Sequence, residues 1–314
     1  MSNFIKKNTI IYLNHKMCYN NNMDEKLYKN QITNMDNIKY HIFDPTKNIT
    51  ILVETIVDIN DQPKIAKSLM DKNPSTEQVG FVKFDTDGNT MLRMAGGEFC
   101  GNATMCAGIY AALNNDDKFS KCIKKIYVDA LDKFIDVEVK RIDENTFVCV
   151  VNMPHAKSVK KIKFSNDEIY EIVELDGISH IIVDIENYEK ENKNLNFDIN
   201  NINFKKYFED KIKKISDFLN INSLGIIFYD KKKNNITPLV YVKNADTLYW
   251  ENSCASGSIA TYEYLKYKYE LSNVNNDTNK KTGLRLYQPC KEYLEIFEIN
   301  NKLYLTGTVK IINQ

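Results

Sequence analysis

The stretch GGEFCGNATMCAG, Gly96–Gly108, decides how the chain is read. A cysteine, Cys100, stands in a glycine turn directly before an alanine-rich segment, "NATMCAGIYAALNN", whose composition predicts a helix packed closely on its surroundings. A helix N-terminus offers unpaired backbone N–H groups and positive potential. A thiol there can have its pKa lowered from about 8.5 into a range of roughly 3.5–7.5, which makes it a usable base. The same N–H groups can hold a carboxylate. Taken alone, a cysteine beside glycine before a helix more often packs than reacts.

Working outward, the chain offers a second instance. "SCASGSI", Ser253–Ile259, places Cys254 in a small-residue turn before "SGSIATYEYLKYKYEL", another helix candidate. The strand readings ahead of Cys100 are "IKYHIFDP", "NITILVETIV", "EQVGFVKFD" and "TMLRMAG", with a helix over "DQPKIAKSLMDK". "KKIYVDAL", "FIDVEVKRID" and "TFVCVVNMP" continue as a strand meander. The second half repeats the plan: "IYEIVELDGISHIIVDI" as two strands around Gly177, "NFKKYFEDKIKKISDFL" as an amphipathic helix, then "LGIIFYD", "LVYVKNAD" and "TLYWENSC" as strands. Strands from Leu284 onward close the chain. Two matching cysteine turns are much harder to assign to packing than one. Cys106 and Cys149 fall on apolar elements and read as core.

Two thiols facing each other across an amino acid can invert its Cα. One thiolate removes the Cα proton and the opposing thiol delivers a proton to the other face. The pair then titrates as a coupled system, and N–H groups aimed at the carboxylate stabilise the carbanion. Such chemistry calls for no pyridoxal phosphate or other cofactor, and no metal.

The composition fits a small zwitterionic ligand. Lys plus Arg number 42 and Asp plus Glu number 42. Zero net charge leaves no electrostatic footprint for nucleic acid or an acidic membrane, so neither partner is expected. The seven cysteines are scattered without a CxxC pair, which is the pattern of reduced thiols and neither a disulfide framework nor a zinc site. The opening "MSNFIKKNTIIYLNHK" has too short an apolar run for a signal peptide, and no stretch approaches a membrane span. A cytoplasmic protein is the expectation. Residues 1–36, rich in Asn and Lys, read as an extension.

From about residue 38 the chain resembles the diaminopimelate epimerase-like superfamily of cofactor-independent racemases and epimerases. "CGNATMC" looks like its first signature, "SCASGS" like its second, "DGISHIIVDI" like its Gly-x-x-His segment and "YLTGTVKII" like its closing strand. The resemblance implies an α+β fold of two pseudo-symmetric halves, each a mostly antiparallel β-barrel around a central helix, with the site in the cleft between them. The halves would be 37–154, joined by the closing strand 301–314, and 155–300. It implies Cys100 and Cys254 as the acid/base pair, and Gly101, Asn102, Ala255 and Ser256 as the α-carboxylate site. His180 and Glu251 match the polar pair near the substrate amino group, and Asn48 matches an asparagine near the substrate. A homodimer is an option, dimers being common there.

The second signature here, "YWENSC", lacks the arginine of the diaminopimelate enzymes, and "LRMAGGEFC" lacks the asparagine they use on the distal head. A second charged head would be left unpaired, which is costly. "FDPTKNITILVET", "STEQVGFV" and "GGEFCGNATM" resemble the histidine racemase branch more closely, in which D-histidine feeds an opine-type metallophore. Glu77 is then a candidate reader of the imidazole, since a carboxylate accepts its N–H, although a surface glutamate before a strand is an equal reading. The alternatives are a diaminopimelate epimerase or a racemase of another amino acid, a phenazine-type isomerase, which the two cysteines oppose, and a metal or redox sensor, which their spacing opposes.

Overall fold

The computed structural model describes residues 37–115, 118–165, 168–191, 197–269 and 283–313. The expected extension, residues 1–36, lies outside the described residues. Strands β1 (Tyr40–Pro45) and β2 (Thr50–Val53) begin the first sheet. The turn between them has positive φ at both Thr46 (54°) and Lys47 (65°), the backbone that a right-twisted hairpin demands. Asp44 pins this strained turn: its Oδ1 accepts from Lys47 N at 2.6 Å and its Oδ2 from Lys47 Nζ at 2.7 Å. The turn delivers Asn48 to the site.

Helix α1 (Gln62–Lys72), strands β3 (Gln78–Phe84) and β4 (Thr90–Met94), helix α2 (Gly101–Asn115) and strands β5 (Lys121–Val128), β6 (Lys133–Arg141) and β7 (Thr146–Met153) follow. The last strand of the chain, β16 (Lys302–Asn313), pairs antiparallel with both β7 and β1. The ring β1-β2-β3-β4-β5-β6-β7-β16 is therefore closed. It encloses α2, which touches β1, β2, β4, β5, β6, β7 and β16. Every residue of α2 from Gly101 to Ala112 is buried. A helix apolar on all sides has no face for water and belongs inside. The strands supply the facing residues by alternation, as in β7, where Phe147, Cys149, Val151 and Met153 point inward. Cys106 and Cys149 lie in this core, as the sequence predicts.

The second part holds β8 (Ser158–Lys163), β9 (Ile169–Glu174), β10 (Ser179–Asp184), helices α3 (Ile185–Glu191) and α4 (Ile202–Leu219), β11 (Ser223–Asp230), β12 (Asn235–Val242), β13 (Thr247–Trp250), helix α5 (Ala255–Tyr269), β14 (Leu284–Tyr287) and β15 (Tyr293–Ile299). From β16 the sheet continues β15-β14-β12-β11-β10-β9-β8, with β13 paired to β12. Helix α5 packs on it, touching β8, β9, β10, β11 and β15. Phe204, Phe208, Ile212 and Ile215 form the apolar stripe of α4 that packs with Phe228 of β11. Asn201 caps that helix, accepting from Asn203 N at 2.9 Å and Phe204 N at 3.3 Å.

The α+β class expected from the sequence is observed, with two differences. The first barrel is mostly antiparallel, with six of its eight strand pairs antiparallel, but it is mixed: β2–β3 and β4–β5 are parallel pairs. Each of those pairs is joined through a helix, α1 or α2, and parallel neighbours require such a crossover. The second sheet has no closing strand pair among the described residues, and its β10–β11 pair is also parallel, bridged by α3 and α4. The strand reading that ran through Ile185 stops at Asp184, where α3 begins, and β8 is an added edge strand.

Candidate active site

Both cysteines occupy the same position in their helices. Cys100 O accepts the first helical bond of α2 from Thr104 N at 3.0 Å, and Cys254 O accepts that of α5 from Ser258 N at 3.0 Å. Each thiol then caps its own helix. Ala103 N donates to Cys100 Sγ at 3.4 Å, and Gly257 N donates to Cys254 Sγ at 3.3 Å. Each cysteine carbonyl also takes a hydroxyl four residues on, Thr104 at 2.8 Å and Ser258 at 2.7 Å. The helix starts meet: a Cβ on Gly101 would lie 2.8 Å from Ala255 Cβ. Gly177, with φ +77°, brings the β9–β10 turn against Phe99, beside the first thiol, where a Cβ would lie 2.9 Å from Phe99 N.

A cavity of about 160 Å³ lies at this junction, below the ~300–1,000 Å³ of sites for drug-sized ligands. Cys100 and Cys254 both line it, with Asn48, Glu77, Asn102, Glu251, Ala255 and Ser256. Eight of the ten residues singled out from the sequence thus line one cavity. The other two stand behind it. Gly101 packs on Ala255, and His180 is fully buried, with Nε2 3.0 Å from Ser256 Oγ.

Asn48 is the hub on the first side. Its Oδ1 accepts from Gln78 Nε2 and from Asn102 Nδ2 (2.9 Å), while its Nδ2 donates to Glu77 Oε2 at 2.5 Å. Glu77 is buried, not a surface glutamate, and Asn252 Nδ2 donates to its Oε1 at 2.5 Å. Sequence reasoning passed over two glutamines that hold the cysteines, one at its thiol and one at its backbone N–H. Cys100 Sγ donates to Gln78 Oε1 at 2.9 Å, and Gln288 Oε1 accepts from Cys254 N at 3.0 Å. Gln78 adjoins Glu77 at the start of β3, where its position next to a site candidate was a usable signal. Gln288 comes from the chain's far end and no local pattern marks it. Glu98, two residues before Cys100, was also missed and also lines the cavity.

The electrostatics follow from burial. Among the lining residues Glu77, Glu98, Glu251, Asp71 and Asp246 are acidic, and Lys67 is the single basic one. Burial raises the Glu77 carboxyl, pushes Glu98 up to about 7, and pushes Glu251 up to about 8 with help from the charge of Glu77. Burial pushes Cys100 up to about 12 and Cys254 well above the usual thiol range, and the Glu251 carboxylate adds to both. This corrects the expectation of thiols lowered by the helix ends: desolvation outweighs the capping N–H bonds. His180 is pushed down to about 3 by burial and is held neutral. Buried polar atoms without partners gather here: Glu98 Oε2, Asn102 Oδ1, His180 Nδ1 and Ser253 Oγ are four of the eight such atoms among the described residues. Each costs about 1–3 kcal/mol, so their concentration marks a place built for polar contacts.

Two cysteine-capped helices thus open onto one cavity of an α+β fold. A hydroxyproline epimerase structure from Agrobacterium vitis shares the fold, with TM-score 0.58, 9% identity, and coverage of 88% of this chain and 93% of that one. The chain belongs to the histidine racemase family: the family model described as "Histidine racemase CntK N-terminal domain" matches residues 37–313. A histidine racemase of Fusobacterium nucleatum subsp. nucleatum is 34% identical over 272 residues, 85% of this chain and 92% of the relative. One from Staphylococcus aureus is 25% identical over 241 residues, 74% of this chain and 81% of the relative.

Proposed function

We propose that the chain interconverts L- and D-histidine by proton transfer at Cα between Cys100 and Cys254. The observation that carries this is the matched pair of helix-capping thiols on one small cavity. One thiolate takes the Cα proton. The electron pair moves into the carboxylate as an enediolate, and the other thiol gives its proton to the opposite face. Asn102, Ser256 and the N–H groups around Gly101 and Ala255 receive the carboxylate at the two positive helix ends. Glu251 faces the ammonium, with neutral His180 positioning Ser256.

The acidic lining favours a substrate that is cationic away from its carboxylate. Burial holds both thiols up, and a substrate ammonium on Glu251 offsets the negative charge that adds to it. The same lining disfavours diaminopimelate, whose second carboxylate would meet acids with Lys67 as its single cation. Both acid and base come from the chain, and no step calls for a cofactor. D-histidine so formed would serve synthesis of an opine-type metallophore.

We read the molecule as two pseudo-symmetric halves, 37–154 completed by 301–314, and 155–300. The repeated cysteine, amide and hydroxyl geometry supports that reading. Among the described residues no group of three or more His, Cys, Asp and Glu is placed to hold a metal, and no helix is long and apolar enough to cross a membrane. Incubation with L-histidine, L,L-diaminopimelate and a panel of other amino acids, read by chiral chromatography, tests the substrate. D-histidine is expected as the main product. Turnover confined to another amino acid would overturn the assignment.

A further inference from the structure

The three glutamates of the cavity are not equivalent. Glu251 borders Cys254, and Glu77 is already held at both oxygens by Asn48 and Asn252. The Glu98 carboxyl takes the backbone N–H groups of Gly96 and Glu98, while its Oε2 is buried and has no partner within hydrogen-bond distance among the described residues. It sits against an apolar wall. A Cβ on Gly96 would lie 2.7 Å from Glu98 Oε2, 2.3 Å from Val242 Cγ1 and 3.2 Å from Ala245 Cβ, so these three groups converge on one spot. Val240, Ile178 and Phe99 continue the apolar lining. The cation that acts on Glu98, Arg93 of β4, is itself bound to Asp129.

We propose that Glu98 is the specificity-determining residue of this site, accepting the ring N–H of the substrate side chain, while Glu77 positions Asn48 and Asn252. This rests on the racemase reading above. An apolar wall beside a carboxylate that has no side-chain donor suits a flat heteroaromatic ring bearing an N–H. An aliphatic side chain would leave Oε2 unpaired, and an acidic one would be repelled.

The test compares wild type, Glu98→Leu and Glu98→Gln on L-histidine and on its two ring-N-methyl isomers, with thermal denaturation as the folding check. Losing a hydrogen bond to a charged group corresponds to a rise in KM of roughly 10- to 100-fold. Glu98→Leu is expected to show that rise with kcat changed less than about threefold, and Glu98→Gln, which keeps a carbonyl acceptor, to recover part of it. Methylation of one particular ring nitrogen should weaken binding to wild type by a similar factor and cost Glu98→Leu nothing further, the non-additivity of a direct contact. A KM within about twofold of wild type in Glu98→Leu, or an undiminished methyl penalty, overturns the role of Glu98 alone. A folded wild type that does not racemise histidine overturns the underlying reading as well.

Discussion

Gly101 and Ala255 meet at the starts of two helices, so closely that a Cβ on Gly101 would fall 2.8 Å from Ala255 Cβ and 2.9 Å from Met153 Cε. The contact sets how near the two capping thiols come to one substrate. Met153 can move its flexible end, but the Ala255 methyl is fixed to the start of α5. Gly101→Ala is expected to keep the fold at a cost of about 1–3 kcal/mol and to lower kcat by about 100-fold, the size of loss that a 1 Å misplacement produces. Thermal denaturation and racemisation rates on one preparation check both parts. Unchanged kcat would mean that the helix spacing does not govern the chemistry.

The thiols should be quiet in the free protein. With burial pushing Cys100 to about 12, its thiolate fraction at neutral pH is some three orders of magnitude below that of a free thiol near 8.5. Cys254, 4% exposed, should react more slowly still. Iodoacetamide labelling with peptide mapping is expected to modify the half-buried Cys122 before either site cysteine. A fast burst at Cys100 or Cys254 would contradict the dominance of desolvation.

His180 gives a pH signature of stability. Its folded value near 3 lies below the ordinary 6.5, so between those values the unfolded chain binds a proton that the folded chain does not. Its contribution is present above pH 6.5 and is lost progressively as pH falls towards 3. At pH 5 the loss is about 2 kcal/mol, at ~1.36 kcal/mol per unit. His180→Gln should therefore gain on wild type as pH is lowered from 7.5 to 5, measured as the difference in Tm. Parallel curves would show that the ring is not held neutral. Gly225, in register with His180, makes room for the ring, since a Cβ there would lie 2.1 Å from Nδ1.

What could be read from the sequence was local. The two cysteine turns, the helices they open and the closing strand follow from composition and spacing over a dozen residues, and each appears in place. Asn48, Glu77 and Glu251 came through resemblance, and the fold brings all three to the cavity. Long-range register was not legible. Gln288 reaches Cys254 because β14 pairs with β15 and meets β12, and nothing near residue 288 announces that. The parallel pairs β2–β3 and β4–β5 depend on which strands the crossover helices bring together. The direction of the thiol shifts was misread for the same reason: a helix end is visible in sequence, whereas burial belongs to the assembled fold.

The most direct measurement is the early time course of L-histidine in D2O, with Cα deuterium resolved separately in the L and D enantiomers. Two thiols on opposite faces should place solvent deuterium in newly formed D-histidine while the remaining L-histidine keeps its protium, and the reverse should hold starting from D-histidine. Cys100→Ala and Cys254→Ala should each abolish racemisation. Deuterium entering recovered L-histidine as fast as the D product, or full activity in either alanine variant, would contradict the two-thiol account.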